Sequence, residues 1–239
     1  MAISLRGVFW DFDGTLVDTR EKNLTVNRRI IETVTGRPYQ SFPALTSLES
    51  YHAATSRAKN WRVFYQQEYG LDEASTDRAG LLWTEFQLAD STPARFYDGI
   101  RGTLQELSAL PNGIVSQNSA KNIRTLLRND GLDHLIAMVV GYEEVPLDRQ
   151  KPDPHGLLQC IDAVNIEDGS SVFYIGDHPT DAECAFNANQ ALRSLDKQIK
   201  VVSIAASFDG PSRSAGWPIP PEHVAHHPNE IVEIAAKYQ

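Results

Sequence analysis

The chain has 239 residues, enough for one large domain or two unequal ones with a full core. Its hydrophobic content of 41% and charged content of 22% are those of an ordinary globular protein, and a net charge of −9 argues against a nucleic-acid binder, which would be expected to show an extended basic face. Residues 20–95 carry 10 Lys+Arg against 9 Asp+Glu, so a near-neutral segment interrupts an acidic frame.

The apolar run Gly7 to Trp10 leads into Asp11, Asp13, Gly14 and Thr15, which reads as a buried parallel strand closed by a tight turn. Residues two apart on a strand share a face, so Asp11 and Asp13 can converge where it ends. In an open α/β sheet that edge is where ligands bind. Arg6, Asp11 and Asp13 in or beside this run make a secretory signal or membrane anchor unexpected there.

From Thr19 the pattern is helical for some seventy residues, a count read from periodicity. Leu24, Ile31 and Val34 mark one helix ended by Gly36 and Pro38; Leu48, Tyr51, Trp61, Phe64, Tyr65 and Glu68 continue at helical spacing to Gly70. Leu81, Leu82, Phe86 and Ala89 mark another helix, broken by Ser91, Thr92 and Pro93. Three or four helices without a strand make a small bundle. Trp61, Phe64, Tyr65 and Trp83 read as its core, and Arg57, Lys59 and Arg62 as a solvated basic face that could also reach a second anionic group of a substrate.

After Phe96 the rhythm changes. Ile100, Leu104 and Leu107 mark a helix face, Pro111, Asn112 and Gly113 a turn, and Ile114 and Val115 a strand ending at Ser116. Ile123 to Leu127 is helical, Ile136 to Val140 a strand, Leu157 to Val164 a helix, Ser171 to Ile175 a strand, Thr180 to Leu192 a helix and Ile199 to Ala205 a strand. This alternation predicts an α/β fold, a parallel sheet of about five strands covered on both faces. The helical segment, residues 20–91, is therefore an insertion into a core of residues 1–19 and 92–239, placed to act as a lid over the carboxylates. Ser207 to Glu222 is a long Ser, Gly and Pro-rich loop in which mobility is expected. Cys160 and Cys184 can form one disulfide, but two reduced, packed thiols of a cytosolic protein are the expectation. His223, His226 and His227 have no accompanying carboxylate cluster and read as surface residues of a short last strand.

Every core strand ends in polar residues: Ser116, Gln117 and Asn118; then Lys151, Pro152 and Asp153 before the next helix; then Gly176, Asp177, His178 and Asp181. Each alone reads as a cap or a solvated charge. Asp11, Asp13, Asp177 and Asp181 with Lys151 and Ser116 place four carboxylates, one ammonium and one hydroxyl at one edge. Repulsion among such carboxylates amounts to a few kcal/mol per pair at contact, even at an effective dielectric of about 20. A divalent cation relieves it, and an all-oxygen site with room for water suits Mg²⁺, which adds phosphate oxygens to its shell. Lys151 and Ser116 can hold the remaining oxygens of a phosphoryl group.

DFDGT at 11–15, the strand end at Ser116, KPDP at 151–154 and GDHPTD at 176–181 resemble, in order and in structural context, the four motifs of the haloacid dehalogenase superfamily. The helical insertion resembles the α-helical cap of its phosphoglycolate phosphatase and β-phosphoglucomutase branch. The resemblance implies a Rossmann-like core, Asp11 as nucleophile forming an aspartyl-phosphate, and Asp13 as general acid and then base. It also implies Mg²⁺ held by Asp11, the backbone carbonyl of Asp13 and Asp177, with Asp181 a weaker or indirect partner, and Ser116 and Lys151 on the phosphoryl group. His178 is expected to shape its loop without ligating metal. Asp13 speaks against dehalogenases and phosphonatases, which lack it. Asn23 stands where the β-phosphoglucomutases carry a histidine, which favours a phosphatase of small phosphorylated metabolites over a sugar phosphomutase or a non-catalytic phosphometabolite-binding regulator. Gln117 and Asn118 depart from the Asn that commonly follows the motif hydroxyl directly, so neither receives a role.

Overall fold

The computed structural model describes residues 4–58, 60–210 and 214–238. It divides into two compact units, one from Met1–Val17 with Phe96–Gln239 and one from Asp18–Arg95.

The larger unit is built on a six-stranded parallel sheet of β1 (Ser4–Trp10), β4 (Asn112–Val115), β5 (Met138–Val140), β6 (Ser170–Gly176), β7 (Lys200–Ala206) and β8 (His223–Ala225), in the order β5-β4-β1-β6-β7-β8. The pairs β2 (Val17–Asp18) and β3 (Arg95–Phe96) form a separate two-stranded sheet where the chain crosses between units. β1 is central, with Trp10 opposite Ile114 on one side and Ile175 on the other. Its apolar residues and those of β6 are buried on both faces, as a doubly covered parallel sheet demands. Helices α5 (Ile100–Glu106), α6 (Ala120–Asn129), α7 (His155–Ala163), α8 (Pro179–Ser194) and α9 (Pro228–Ala235) follow the strands. One core cluster joins Phe9, Val115, Leu157, Val172, Tyr174 and Val201 with both cysteines, which are free thiols.

Asn112 and Gly113, expected in a turn, are the first residues of β4. The buried Trp10 indole donates to Asn112 Oδ1 at 3.0 Å, and Asn112 Nδ2 donates to the carbonyls of Leu107 and Leu110 at 3.1 and 3.0 Å. A Cβ on Gly113 would stand 2.8 Å from the Phe9 ring, so turn-forming residue types here serve close strand packing. The sheet has six strands rather than five because the short β8 pairs with β7. Of the three C-terminal histidines only His223 lies in that strand, meeting the Tyr238 hydroxyl at 3.0 Å, while His227 caps α9.

The smaller unit contains α1 (Arg20–Thr35), α2 (Leu48–Thr55), α3 (Trp61–Tyr69) and α4 (Glu73–Ala89) around Ile30, Ile31, Leu45, Phe64 and Tyr65, with Trp61 and Trp83 packed against them. The buried stripe of α4 runs through Thr76, Ala79 and Gln87, which turns Leu81 out to 82% exposure and leaves Ala89 exposed. Arg57 pairs with Glu68, and Arg62 with Asp77 at 2.6 Å and with Glu73. Lys59, and residues 211–213 of the long loop, lie outside the described residues. No helix among the described residues is long and apolar enough to cross a membrane.

Candidate active site

The site is assembled where β4, β1 and β6 end. The Asp11 N–H donates to Ile175 O at 2.7 Å, extending the β1–β6 ladder by one residue and fixing Asp11 at the sheet edge. Phe12 turns away into the core, edge-on to Phe96, so the alternation along the strand separates it from Asp11 and Asp13. The chain then closes a turn, with Gly14 N–H donating to Val17 O at 2.8 Å. Gly14 has φ +79°, and a Cβ there would lie 2.3 Å from Asp177 Oδ2. The glycine is what lets the Asp177 carboxylate come in. Thr15 Oγ1 donates to the same carboxylate at 3.1 Å.

β6 delivers Gly176 and Asp177. A Cβ on Gly176 would stand 2.2 Å from Asp181 Cγ, so the last strand residue must also be small. His178 caps α8 and Asp181 accepts from the His178 N–H at 3.0 Å, a reciprocal cap that pins Asp181 in the first turn. His178 thus shapes the loop. Asp181 Oδ1 also accepts from Lys151 Nζ at 2.7 Å and from the Tyr174 hydroxyl at 3.3 Å.

Lys151 is 8% exposed, and its ammonium donates to Asp11 Oδ1 at 2.7 Å as well. Its carbonyl accepts from Gln117 Nε2 at 3.0 Å. On the other side, Ser116 N–H donates to Val140 O, and Ser116 Oγ accepts from the Asn118 N–H at 3.2 Å. Asn118 Nδ2 donates to Asp13 at 2.9 and 3.2 Å.

The structure therefore brings Asp11, Asp177 and Asp181 together, each offering an oxygen within 4.8 Å of the others, with Lys151 between Asp11 and Asp181. Asp13 and Ser116 are joined through Asn118. Burial, then the Asp181 and Asp13 charges, push the Asp11 carboxyl up to about 7 against the opposing pull of Lys151. Burial and the charges of Asp11 and Asp181 hold Asp177 well above the ordinary carboxylate range. Burial pulls the Lys151 ammonium down, but Asp11 and Asp181 overcome it and hold it above its usual value. Two buried carboxylates and a half-buried one against one ammonium leave negative charge that a hard divalent cation would neutralise, so the donor set fits Mg²⁺. Asp181, with both oxygens already accepting, is the least available of the three.

Sequence reasoning left Gln117 and Asn118 without roles and did not single out Thr15 or Tyr174 as partners. Position beside Ser116 was the one signal for the first two.

Fold and site together define an α/β protein of Rossmann-like build with a carboxylate cluster gathered at the carboxyl ends of its central parallel strands and the helix that follows β6. The family model for the haloacid dehalogenase-like hydrolases matches residues 8–192. Pyrophosphatase PpaX of Listeria innocua is 26% identical over 211 residues, covering 84% of this chain and 88% of its own. Phosphoglycolate phosphatase of Synechococcus elongatus is 23% identical over 247 residues, covering 98% of each. The crystal structure of a subfamily IA HAD-superfamily hydrolase from Geobacter sulfurreducens superposes with a TM-score of 0.65 at 21% identity, covering 97% of this chain and 100% of that one. The chain belongs to the haloacid dehalogenase-like hydrolases, and its curated relatives there are phosphatases.

Proposed function

We propose that this hydrolase is a Mg²⁺-dependent phosphatase of small phosphorylated metabolites that works through an aspartyl-phosphate on Asp11. The observation that carries the reading is the buried Lys151 ammonium 2.7 Å from Asp11 Oδ1, beside a carboxylate cluster fit for a divalent cation. A carboxylate nucleophile must be ionised, and Lys151 favours that form where burial opposes it. Asp11 attacks phosphorus while the bond to the leaving oxygen breaks, and Asp13 gives that oxygen its proton. Water then attacks the phosphorus, surrenders its proton to Asp13 and releases Asp11. Ser116 and Lys151 hold phosphoryl oxygens. Asp11, the Asp13 carbonyl and Asp177 would hold Mg²⁺, which supplies positive charge for the phosphoryl oxygens.

Asn23 supports a phosphatase over a phosphomutase. Its amide is tied within the smaller unit, accepting from Gln87 Nε2 at 2.6 Å and donating to Thr19 Oγ1 at 3.2 Å, and it offers no titratable group for a second acid–base step. Substrates are sought among phosphoglycolate, sugar phosphates and, given the Listeria relative, pyrophosphate.

The test is phosphate release from that panel with Mg²⁺ or EDTA, for wild type and Asp11→Asn. Metal-dependent release lost in the variant supports the reading. Phosphate moved between positions of a sugar points to a mutase, and tight binding without turnover to a regulator.

A further inference from the structure

Asn118 is 1% exposed, and its amide has a defined orientation. Oδ1 accepts from the Ser119 N–H at 2.7 Å and from Asn122 Nδ2 at 3.3 Å. A backbone N–H can only donate, so the oxygen end of the amide is fixed there and Nδ2 faces the Asp13 carboxylate, 2.9 Å from Oδ2 and 3.2 Å from Oδ1. The residue is anchored by its backbone too: its N–H donates to Ser116 Oγ at 3.2 Å, and its carbonyl accepts from Tyr142 N–H at 3.1 Å.

We infer that Asn118 is a positioning residue for proton transfer by Asp13, holding its carboxyl in the orientation from which it serves the leaving oxygen and then the attacking water. The inference rests on the phosphatase reading, in which Asp13 acts as acid and then base. A carboxyl free to rotate spends most of its time misaligned, and alignment of the reacting groups is worth a large share of a catalytic rate. A neutral amide suits both halves of the reaction. When Asp13 is protonated, one of its oxygens still accepts from Nδ2 while its O–H is directed outward; when it is ionised, both oxygens accept. The proton leaves Asp13 for the departing oxygen as the P–O bond breaks, and an equivalent proton returns from water as its oxygen bonds to phosphorus and the Asp11–phosphorus bond breaks. Asn118 neither gains nor loses a proton in either half. An ammonium at this place would favour only the ionised form.

Leaving-group dependence separates this role from a structural one. An alkoxide leaves only if protonated, whereas p-nitrophenolate leaves with little help, so loss of proton transfer slows alkyl esters selectively. The experiment measures kcat/KM, which reports the first phosphoryl transfer. It uses p-nitrophenyl phosphate and whichever alkyl ester ranks first among phosphoglycolate, glycerol 3-phosphate and glucose 6-phosphate, with Mg²⁺ present. Asn118→Ala removes the donor to Asp13 along with the acceptor facing Ser119 and Asn122; Asn118→Asp keeps that acceptor but turns a carboxylate oxygen toward Asp13 in place of the donor, so it both removes the hydrogen bond and repels the carboxyl. We expect each variant to lose at least about tenfold more on the alkyl ester than on the aryl ester, with Asp13→Asn showing the same selectivity more strongly. Equal losses on the two esters in an Asn118→Asp protein that keeps the wild-type melting temperature would overturn the inference and leave the phosphatase standing. A wild type inactive on every ester would instead overturn the phosphatase reading, and this inference with it.

Discussion

Asp181 shares Lys151 with Asp11: the ammonium lies 2.7 Å from each carboxylate, and all three groups are buried. Lys151 thus sits between an acid at the end of β1 and another in the first turn of α8, with both ion pairs shielded from solvent. Removing one partner of such a group strands the others, at a cost of about 3–5 kcal/mol. Lys151→Met is expected to lower the melting temperature sharply and to abolish phosphate release. Lys151→Arg is expected to rescue neither, because a planar fork does not fit a point-charge site. Calorimetry and the phosphate assay check both, and a Met variant as stable as wild type contradicts the arrangement.

The acids set the pH behaviour. The Asp11 carboxyl has an ordinary value of 3.8 and is pushed up to about 7 when folded, and Asp177 moves in the same sense. A raised carboxyl binds its proton more tightly in the native state, so its stabilising effect is complete below about 3.8 and is lost as the pH rises through about 7. In EDTA the melting temperature should therefore fall between pH 5 and pH 8, with a shallower slope in Asp11→Asn. Mg²⁺ should raise it by several degrees at pH 8 and by less at pH 5. Thermal denaturation across this range, with and without metal, decides the matter; a metal-free melting temperature that climbs with pH is the contrary result.

Two glycines make room for the acids. Gly14→Ala combines a left-handed backbone at φ +79° with a Cβ 2.3 Å from Asp177 Oδ2, and Gly176→Ala puts a Cβ 2.2 Å from Asp181 Cγ. Each is expected to cost about 1–3 kcal/mol and to reduce kcat by more than tenfold, because the carboxylates must shift. Denaturant unfolding and steady-state kinetics measure the two effects. Either variant with wild-type kcat would show that the carboxylates can relax.

Away from the chemistry, Asn112 is the partner of a fully buried indole. Asn112→Ala leaves the Trp10 N–H and two backbone carbonyls without their bonds and is expected to cost about 2–4 kcal/mol, with KM unchanged. Urea unfolding and KM together test this, since a shift in KM would place Asn112 in the site's machinery.

The sheet and its reactive edge were legible because β1 and β6 are continuous apolar runs that stop at carboxylates, and glycine beside aspartate marks the close approaches. Asn112 was hidden by its type: an Asn–Gly pair reads as a turn, and only the third dimension reveals a tryptophan waiting for an acceptor. Leu81 was misassigned because a leucine pair fits two helical faces, and packing chose the one through Thr76 and Ala79. Asn118 was out of reach for a different reason: it lies after a strand end, where side-chain direction follows from hydrogen bonds 105 residues away rather than from any period.

The central place of β1 has a consequence for synthesis on the ribosome. β1 pairs on one side with β4, beginning at Asn112, and on the other with β6, ending at Gly176; both partners follow it in the chain, so more than a hundred and fifty residues are made before its second edge is covered. Meanwhile Asp18–Arg95, with a core of its own, is complete early and can fold as a unit while Val8, Phe9 and Trp10 wait. The strand that carries Asp11 to the sheet edge thus precedes both of its partners and waits for the second of them, the interval in which an apolar, unpaired strand is most open to capture by a chaperone or by another nascent chain.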